Sequence, residues 1–391
     1  MAATQPEPVA APKRTPVLLV RLCALAVLPI VVATVMAIAG GYTPVGDSAT
    51  LALRAGDVTR GSPPLTGMPT TADRLADEEW IDHPGPLEVW VAALPYRILG
   101  PVGLLLTVAI VNAASLIVAV RVGWRQGGPP LAIGMTGLAL VLSWSLGTEV
   151  LRDPLNTHVT LLPWFAALLL TWEVAVGRWR SLPLAIAAVS WSVQAHVVWI
   201  LPAAVLVIGG GWLAVRQEVA RPPAQREARA DLRRRSLQRA AIVGVVLNLP
   251  LLIDQFFGNG NLGRMLAFGG EAGLGLGHAV RATVVAFGVP PAWLRTEMDP
   301  FLLLRIPTLL DLLGFATVVA GAALLLQRTD RPSHRRADRL LQVAGLATAG
   351  AALAVARTPE GGAVAAADAM LLWRPVTAVA WLALGWGAWT R

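Results

Sequence analysis

The sequence predicts an all-α membrane protein: a polytopic transmembrane helical bundle of about ten spans with a helical first outer loop. Three observations predict it. Apolar runs long enough to cross a bilayer recur from end to end. Only 14% of the 391 residues are charged and 55% are hydrophobic, whereas a soluble domain covers itself with about a quarter charged residues. The basic residues fall in short segments between the apolar runs, as the positive-inside rule requires. That clustering also argues against nucleic acid as a partner, despite a net charge of +8 and a pI near 11.1. The partner expected is the lipid bilayer.

Taken in order, residues 1–16 are Ala/Pro-rich and predict a disordered cytoplasmic N-terminus, with Lys13 and Arg14 holding it inside. Lys13 is the only lysine; arginine for lysine, with abundant alanine, points to a GC-rich genome. Residues 17–391 are read as one transmembrane domain. The first span, Val17–Ala39, is too long for a signal-peptide core and is read as retained. It holds the lone Cys23, which leaves no disulfide framework and no CxxC metal site. Residues 41–86 form the first outer loop, rich in acid (Asp47, Asp57, Asp73, Asp77, Glu78, Glu79, Asp82).

Further spans are predicted near Val102–Val122, Leu131–Thr148 and His158–Val176. Ser181–Val215 is too long for one span, and Gln194-Ala195-His196 splits it into two helices that meet near the outer face. Residues 216–239 are the basic cytoplasmic loop, with Arg221, Arg226, Arg229, Arg233, Arg234 and Arg235. Spans near Ala240–Ile253, Thr308–Leu326, Leu340–Ala356 and Ala369–Trp389 complete the set, around an outer region at 254–306. Within that region Ala279–Pro290 is read as re-entrant or interfacial. One topology then puts Arg121, Arg125, Arg178, Arg180, Arg328, Arg331, Arg335, Arg336 and Arg339 inside and most acids outside. Both termini fall in the cytoplasm. No internal repeat is evident, so the inverted-repeat signature of many secondary transporters is not seen.

The chemistry-bearing residues gather at the outer face. No GxxxxGK[ST] loop and no HExxH motif is present, which argues against ATP hydrolysis and a zinc hydrolase; Gly273-Leu274-Gly275-Leu276-Gly277 reads as a turn. No cofactor is expected, and a divalent cation requirement is left open. Asp47, in Gly46-Asp47-Ser48, reads either as a helix cap or as a general base for a hydroxyl. Asp153 precedes Pro154 and has the same two readings. His83 lies in an acidic run that is ordinarily a solvated loop face. Gln194 and His196, inside an apolar stretch, must face a cavity or bond a neighbouring helix. Asp254, Gln255, Asn259, Asn261, Arg264, Glu271, His278 and Arg281 form a polar outer stretch with cations where an anionic headgroup would sit. Arg295 and Arg305, beside Glu297 and Asp299, are weaker candidates of this kind.

Read in order, these residues resemble the GT-C class of membrane glycosyltransferases. An Asp follows the first span (Gly46-Asp47-Ser48-Ala49), and the loop continues with Gly61-Ser62-Pro63-Pro64-Leu65-Thr66-Gly67. His83-Pro84-Gly85-Pro86-Leu87 leads to Ala93-Leu94-Pro95-Tyr96-Arg97-Ile98-Leu99-Gly100, which looks like the family's HPPL…YRLFG passage. Asp153-Pro154 resembles its acid between the third and fourth spans, and Val193-Gln194-Ala195-His196 the Q-x-H element of actinobacterial members. The likeness covers roughly the first 200 residues and fades after the basic loop; it departs at Ser48, where the family often has a second acid, and in lacking the large C-terminal outer domain that many members carry.

The resemblance implies transfer of a sugar from a polyprenyl-phosphate donor to a glycan or glycolipid acceptor of the cell envelope. It implies a plasma-membrane protein of actinobacterial type, working on the outer face. Asp47 would be the base and Asp153 a second catalytic carboxylate. His83, Arg152, Gln194, His196, Arg264, His278 and Arg281 would bind donor and leaving phosphate. A transporter or flippase of a lipid-linked or small solute is the alternative, with a non-catalytic envelope scaffold as a third reading. Transport is expected to place ionisable residues at the bilayer midplane, where the sequence offers only His196 and Asp311.

Overall fold

The computed structural model describes residues 16–70, 81–268, 273–296, 305–327, 332–359 and 370–390, and among them no strand forms. Asp73, Asp77, Glu78, Glu79, Glu271, Glu297, Asp299, Arg328, Arg331 and the N-terminal 1–15 lie outside the described residues. Among the described residues, seven helices are long and apolar enough to cross a membrane: Val17–Ala39, Pro101–Arg152, His158–Ala175, Val197–Val219, Ala230–Phe257, Leu309–Leu326 and Arg335–Arg357.

The first helix, α1 (Val17–Ala39), buries Leu19, Leu22, Ala26, Ile30, Ala33 and Ala37, a three-four spaced stripe, and leaves Val20, Leu28, Val31, Val35 and Met36 exposed. Lipid is the natural solvent for that outer face. The stripe packs on α4 (Pro101–Arg152). Between them, α2 (Asp47–Thr59) and α3 (Leu87–Leu99) pack on each other, and α2 puts a helix into the 41–86 loop.

Helix α4 is two antiparallel arms. Gly128, at φ +67° and ψ −157°, breaks it in front of Pro129 and Pro130. A left-handed residue followed by two prolines cannot continue a helix, and the chain reverses. Gly123 of the first arm then lies so close to Leu131 and Met135 of the second that an added Cβ would crowd both. The predicted spans Val102–Val122 and Leu131–Thr148 are these arms.

The centre of the bundle is α5 (His158–Ala175), buried on every side from Val159 to Ala175. A helix that is apolar all round belongs in a core. Trp164, Phe165 and Trp172 fill the space between α4, α6 (Leu182–Ala195), α7 (Ile200–Val219), α13 (Pro332–Arg357) and α14 (Trp373–Trp389). The predicted split at Gln194-Ala195-His196 is where α6 ends: His196 is extended, at φ −150°, and the chain re-enters helix through a short turn at Val197–Trp199.

Two regions gain detail, and one expectation, the depth of Asp311, needs correction. The basic loop 216–239 is largely helical, holding the end of α7, α8 (Pro223–Ala228) and the first turns of α9 (Ala230–Phe257). Arginine is a good helix former and stays hydrated there, so polarity did not mean loop. Residues 279–290 belong mostly to α11 (Gly275–Ala286), which follows α10 (Asn261–Phe268). At 12 residues α11 rises about 18 Å, too short for a roughly 30 Å hydrocarbon core. Asp311, expected at mid-membrane, stands in the first turn of α12 (Leu309–Leu326), where it forms a capping box with Thr308 and pairs with Arg305 at 2.7 Å and Arg295 at 3.6 Å.

The arginine segments meet at one end of the bundle. Arg125 pairs with Glu173, Arg178 donates to the Arg125 carbonyl, Arg336 to the Gln126 carbonyl, and Arg229 to the Gly177 carbonyl. The opposite end carries α2, α3, the α4–α5 turn, the α6–α7 break and α10.

Candidate functional site

At that opposite end a polar cluster forms around the α4–α5 turn. Asp153 closes α4 in extended conformation, and Asp153 Oδ2 lies 3.2 Å from His158 Nδ1 at the start of α5. Neither capping reading of the two aspartates holds. Asp153 caps no following helix, because α5 begins four residues past Pro154. Gly46 occupies the cap position of α2 at φ +55°, a conformation only glycine adopts freely, and Asp47 is the first helical residue. Ser48 ties that turn instead, accepting from the Val45 N–H at 3.1 Å and donating to the Val45 carbonyl at 2.8 Å. The Asp47 carboxylate is left exposed and without a bonding partner among the described residues.

Two residues that sequence reasoning missed complete this cluster. Glu88, on the first turn of α3, is buried at 4% exposure, and its Oε1 has no hydrogen-bond partner among the described residues. Burial, with the Asp153 charge nearby, raises its carboxyl to about 8, so it is mostly protonated at neutral pH. The signal was present: it is the only acid in Leu87–Leu99. Tyr42 sits just after α1 with its hydroxyl buried beside the Ser48 side chain. Burial raises its pKa, with Ser48, Asp153 and Arg152 as its polar neighbours. Through Tyr42 and Ser48 the start of α2, and so Asp47, borders the Asp153 group. Asn112 donates to the Leu151 carbonyl at 3.0 Å, fixing the end of α4.

A second group sits where the α2–α3 loop meets the α6–α7 break. The rings of His83 and His196 lie 4.3 Å apart at 38°. His83 Nδ1 accepts from the Val197 N–H at 3.3 Å, and His196 Nδ1 from the Val198 N–H at 3.2 Å. Both imidazoles thus use Nδ1 as acceptor, which needs the proton on Nε2. Burial, then His196 and Arg54, hold His83 well below its usual pKa, in keeping with a neutral ring. Gln194 Nε2 donates to Leu247 O at 2.7 Å and Asn248 Oδ1 at 3.1 Å on α9, so it bonds a neighbouring helix. Its Oε1 is buried without a partner, and its carbonyl accepts from the Gly85 N–H at 3.2 Å.

The loop is held shut by charge. Asp82 bonds Thr66 and pairs with Arg54 at 3.1 Å. Asn261, at the start of α10, joins its amide to the Asp82 backbone, while the buried Asp254 carboxylate accepts from the Asn259 and Asn261 N–H groups.

Of the predicted site residues, the structure therefore puts Arg152 and Asp153 near one centre, with Asp47 outside it on the adjoining first turn of α2, and His83, Gln194 and His196 around the next. Gly85–Glu88 runs between the two. His278 and Arg281 are not drawn in: His278 Nδ1 contacts the Leu274 carbonyl at 2.7 Å, and Arg281 Nε the Gly277 carbonyl at 3.4 Å, both within the α11 segment. Arg264 is half-buried on α10, next to the Asn261 tie. Among the described residues no group of three or more His, Cys, Asp or Glu stands ready to hold a metal ion. An apolar groove of about 830 Å³ lies elsewhere, at the arginine end between α6, α7 and α9, and none of this cluster's residues lines it. No protein-family model, curated protein or solved structure matches the chain.

Proposed function

We propose that this chain is a multi-pass membrane glycosyltransferase that moves a sugar from a polyprenyl-phosphate donor to a glycan or glycolipid acceptor. The observation that carries the reading is the group of Tyr42, Glu88, Asp153 and His158 with the unpaired Asp47 at its border, all at one end of an apolar bundle. Orphaned buried polar atoms are costly, and Glu88 Oε1, in the same group as the buried Tyr42 hydroxyl, invites a polar ligand such as a sugar.

In this mechanism Asp47 takes the proton of the acceptor hydroxyl while that oxygen attacks the anomeric carbon. The bond from that carbon to the phosphate oxygen breaks, and polyprenyl phosphate leaves with the electron pair. Arg152 neutralises the leaving phosphate, with Arg264 as a second cation. Glu88, protonated at neutral pH, donates a hydrogen bond to a sugar hydroxyl, and Asp153, oriented by His158, accepts one. Counting the arms of α4 separately, and adding α6 (14 residues, about 21 Å) and α14 (17 residues, about 26 Å), gives ten passes in a plasma membrane. Arginine sorting then puts both termini in the cytoplasm and the cluster outside, with an actinobacterial source fitting the composition.

The test is turnover of radiolabelled polyprenyl-phosphate sugars by the protein in lipid nanodiscs, wild type beside Asp47→Asn. Release of polyprenyl phosphate from one donor, reduced about 100-fold or more in the variant, is the expected result. Near-normal turnover in the variant removes Asp47 as base. A second reading, proton-coupled transport of a small or lipid-linked solute, is favoured by Glu88 alone, a buried carboxyl that titrates near neutrality. Absence of turnover with every donor, together with solute uptake that Glu88→Gln uncouples from pH, would establish it.

A further inference from the structure

The arginine end of the bundle holds a pocket of about 240 Å³ whose polar walls are Gln126, Arg178, Gln217, Arg335, Arg336 and Arg339. The positive-inside rule explains arginines near helix ends, but it asks only that they stay hydrated on one side. It does not ask them to converge on one concavity from the α4 hairpin, the α5–α6 connection, α7 and α13.

Their charge is not balanced. Glu173, wholly buried, is engaged by Arg125 at 2.6 Å and 2.8 Å, by the Ser181 hydroxyl and by Gln126. Arg178 reaches it only at 3.9 Å. The other nearby carboxylate, Asp338, lies beside Arg339. Among the described residues, five guanidiniums (Arg125, Arg178, Arg335, Arg336, Arg339) thus face two carboxylates. Burial, opposed by Glu173 and reinforced by Arg125 and Arg336, lowers the Arg178 pKa, as crowding of like charge requires. Several of these side chains are already aimed: Arg336 is anchored on the Gln126 carbonyl at 2.7 Å and Arg339 on Gln342 at 2.8 Å and Gln217 at 3.4 Å. The Arg335 guanidinium is exposed and has no partner among the described residues.

We infer that this pocket is a binding site for a phosphate-bearing anion. Forked guanidinium donors suit tetrahedral oxyanions, the glutamine amides supply neutral donors beside them, and basic pockets between membrane helices take phospholipid headgroups. The chemistry is shared by an anionic phospholipid of the adjacent leaflet and by a soluble phosphate. The site stands apart from the Asp153 cluster, and the inference does not depend on the transferase reading.

The full-length protein, reconstituted in nanodiscs, separates the two sources. Thermal midpoints are compared between phosphatidylglycerol and phosphatidylcholine discs, and in phosphatidylcholine discs titrated with sodium pyrophosphate at constant ionic strength. Ligand binding to the folded state raises the midpoint. The expected result is a rise of several degrees with at least one probe, at least halved in Arg335→Gln/Arg339→Gln. The control Arg234→Gln/Arg235→Gln removes the same charge outside the pocket and should keep the rise. A rise with phosphatidylglycerol alone assigns a lipid headgroup; a rise with pyrophosphate in lipid-neutral discs assigns a soluble anion. No rise with either probe, or equal loss in both double variants, overturns the site. Should the pocket variant prove unstable, single Arg335→Gln, whose exposed side chain has no partner among the described residues, carries the same comparison.

Discussion

Asn261 and Asp82 stand 179 residues apart and exchange two hydrogen bonds: the Asp82 N–H donates to Asn261 Oδ1 at 3.0 Å, and Asn261 Nδ2 donates to the Asp82 carbonyl at 2.9 Å. The Asp82 side chain is meanwhile fixed by Arg54 and Thr66. One amide therefore fastens the α2–α3 loop to α10, one residue from His83. Asn261→Ala removes both bonds and should cost about 2 kcal/mol. Limited proteolysis between residues 60 and 85 should quicken in the variant while the far end of the bundle keeps its protection.

Glu88 and His83 set opposite limbs of the pH profile. Glu88 is raised from 4.5 to about 8, so the folded state holds its proton where the unfolded chain releases it. Its contribution is complete below pH 4.5 and is lost as pH rises toward 8, by an amount on the order of a few kcal/mol. His83 is depressed below 6.5, so its contribution is present above 6.5 and is lost as pH falls below that value. Thermal midpoints from pH 5 to 9 should show Glu88→Gln flattening the alkaline limb and His83→Gln the acid limb. A profile unchanged in Glu88→Gln would show that this carboxyl titrates normally.

Gly85 lies against the end of α6, where an added Cβ would be driven into the Gln194 side chain. Gln194 cannot step aside without losing Leu247 and Asn248. Gly85→Ala should therefore destabilise the docked loop by about 1–3 kcal/mol. Gly277→Ala, where an added Cβ meets nothing within 4 Å, is the control and should be near neutral in the same melt. Equal midpoints for the two variants would mean that the loop does not rest on the α6–α7 break.

The sequence made some of this legible and hid the rest for identifiable reasons. The break at His196 could be read because a polar pair inside an apolar run has few ways to be satisfied. Gly128-Pro129-Pro130 separates two apolar runs, so the two arms of α4 were visible as spans. Asp47 and Asp153 could be named, but not their surroundings: the cap assignments failed because Gly46 and Ser48 made the first turn and the Asp153 turn ran on to His158. Glu88 escaped notice because α3 read as a lead-in to the next span, and Tyr42 because one aromatic after a span is ordinary. Arg264, His278 and Arg281 were grouped by sequence proximity. Helical geometry turns the last two back onto their own segment.

The Arg125–Glu173 pair offers the sharpest energetic test, because its partners are unequally buried. Glu173 is wholly inaccessible, whereas the Arg125 side chain is 39% exposed. Removing the cation, in Arg125→Gln, leaves a carboxylate with its charge opposed only by Arg178 at 3.9 Å, and should cost about 3–5 kcal/mol. Removing the anion, in Glu173→Gln, lets Arg125 turn to water and keeps a neutral acceptor for the Ser181 hydroxyl, so its cost should be smaller, about 1–2 kcal/mol. Equilibrium unfolding of both variants in one detergent reads the difference directly. The order follows from burial alone: the partner that cannot reach solvent is the one that must not be left alone. An inverted order would mean that Glu173 is hydrated, and the helix packing around α5 would have to be looser than its burial indicates.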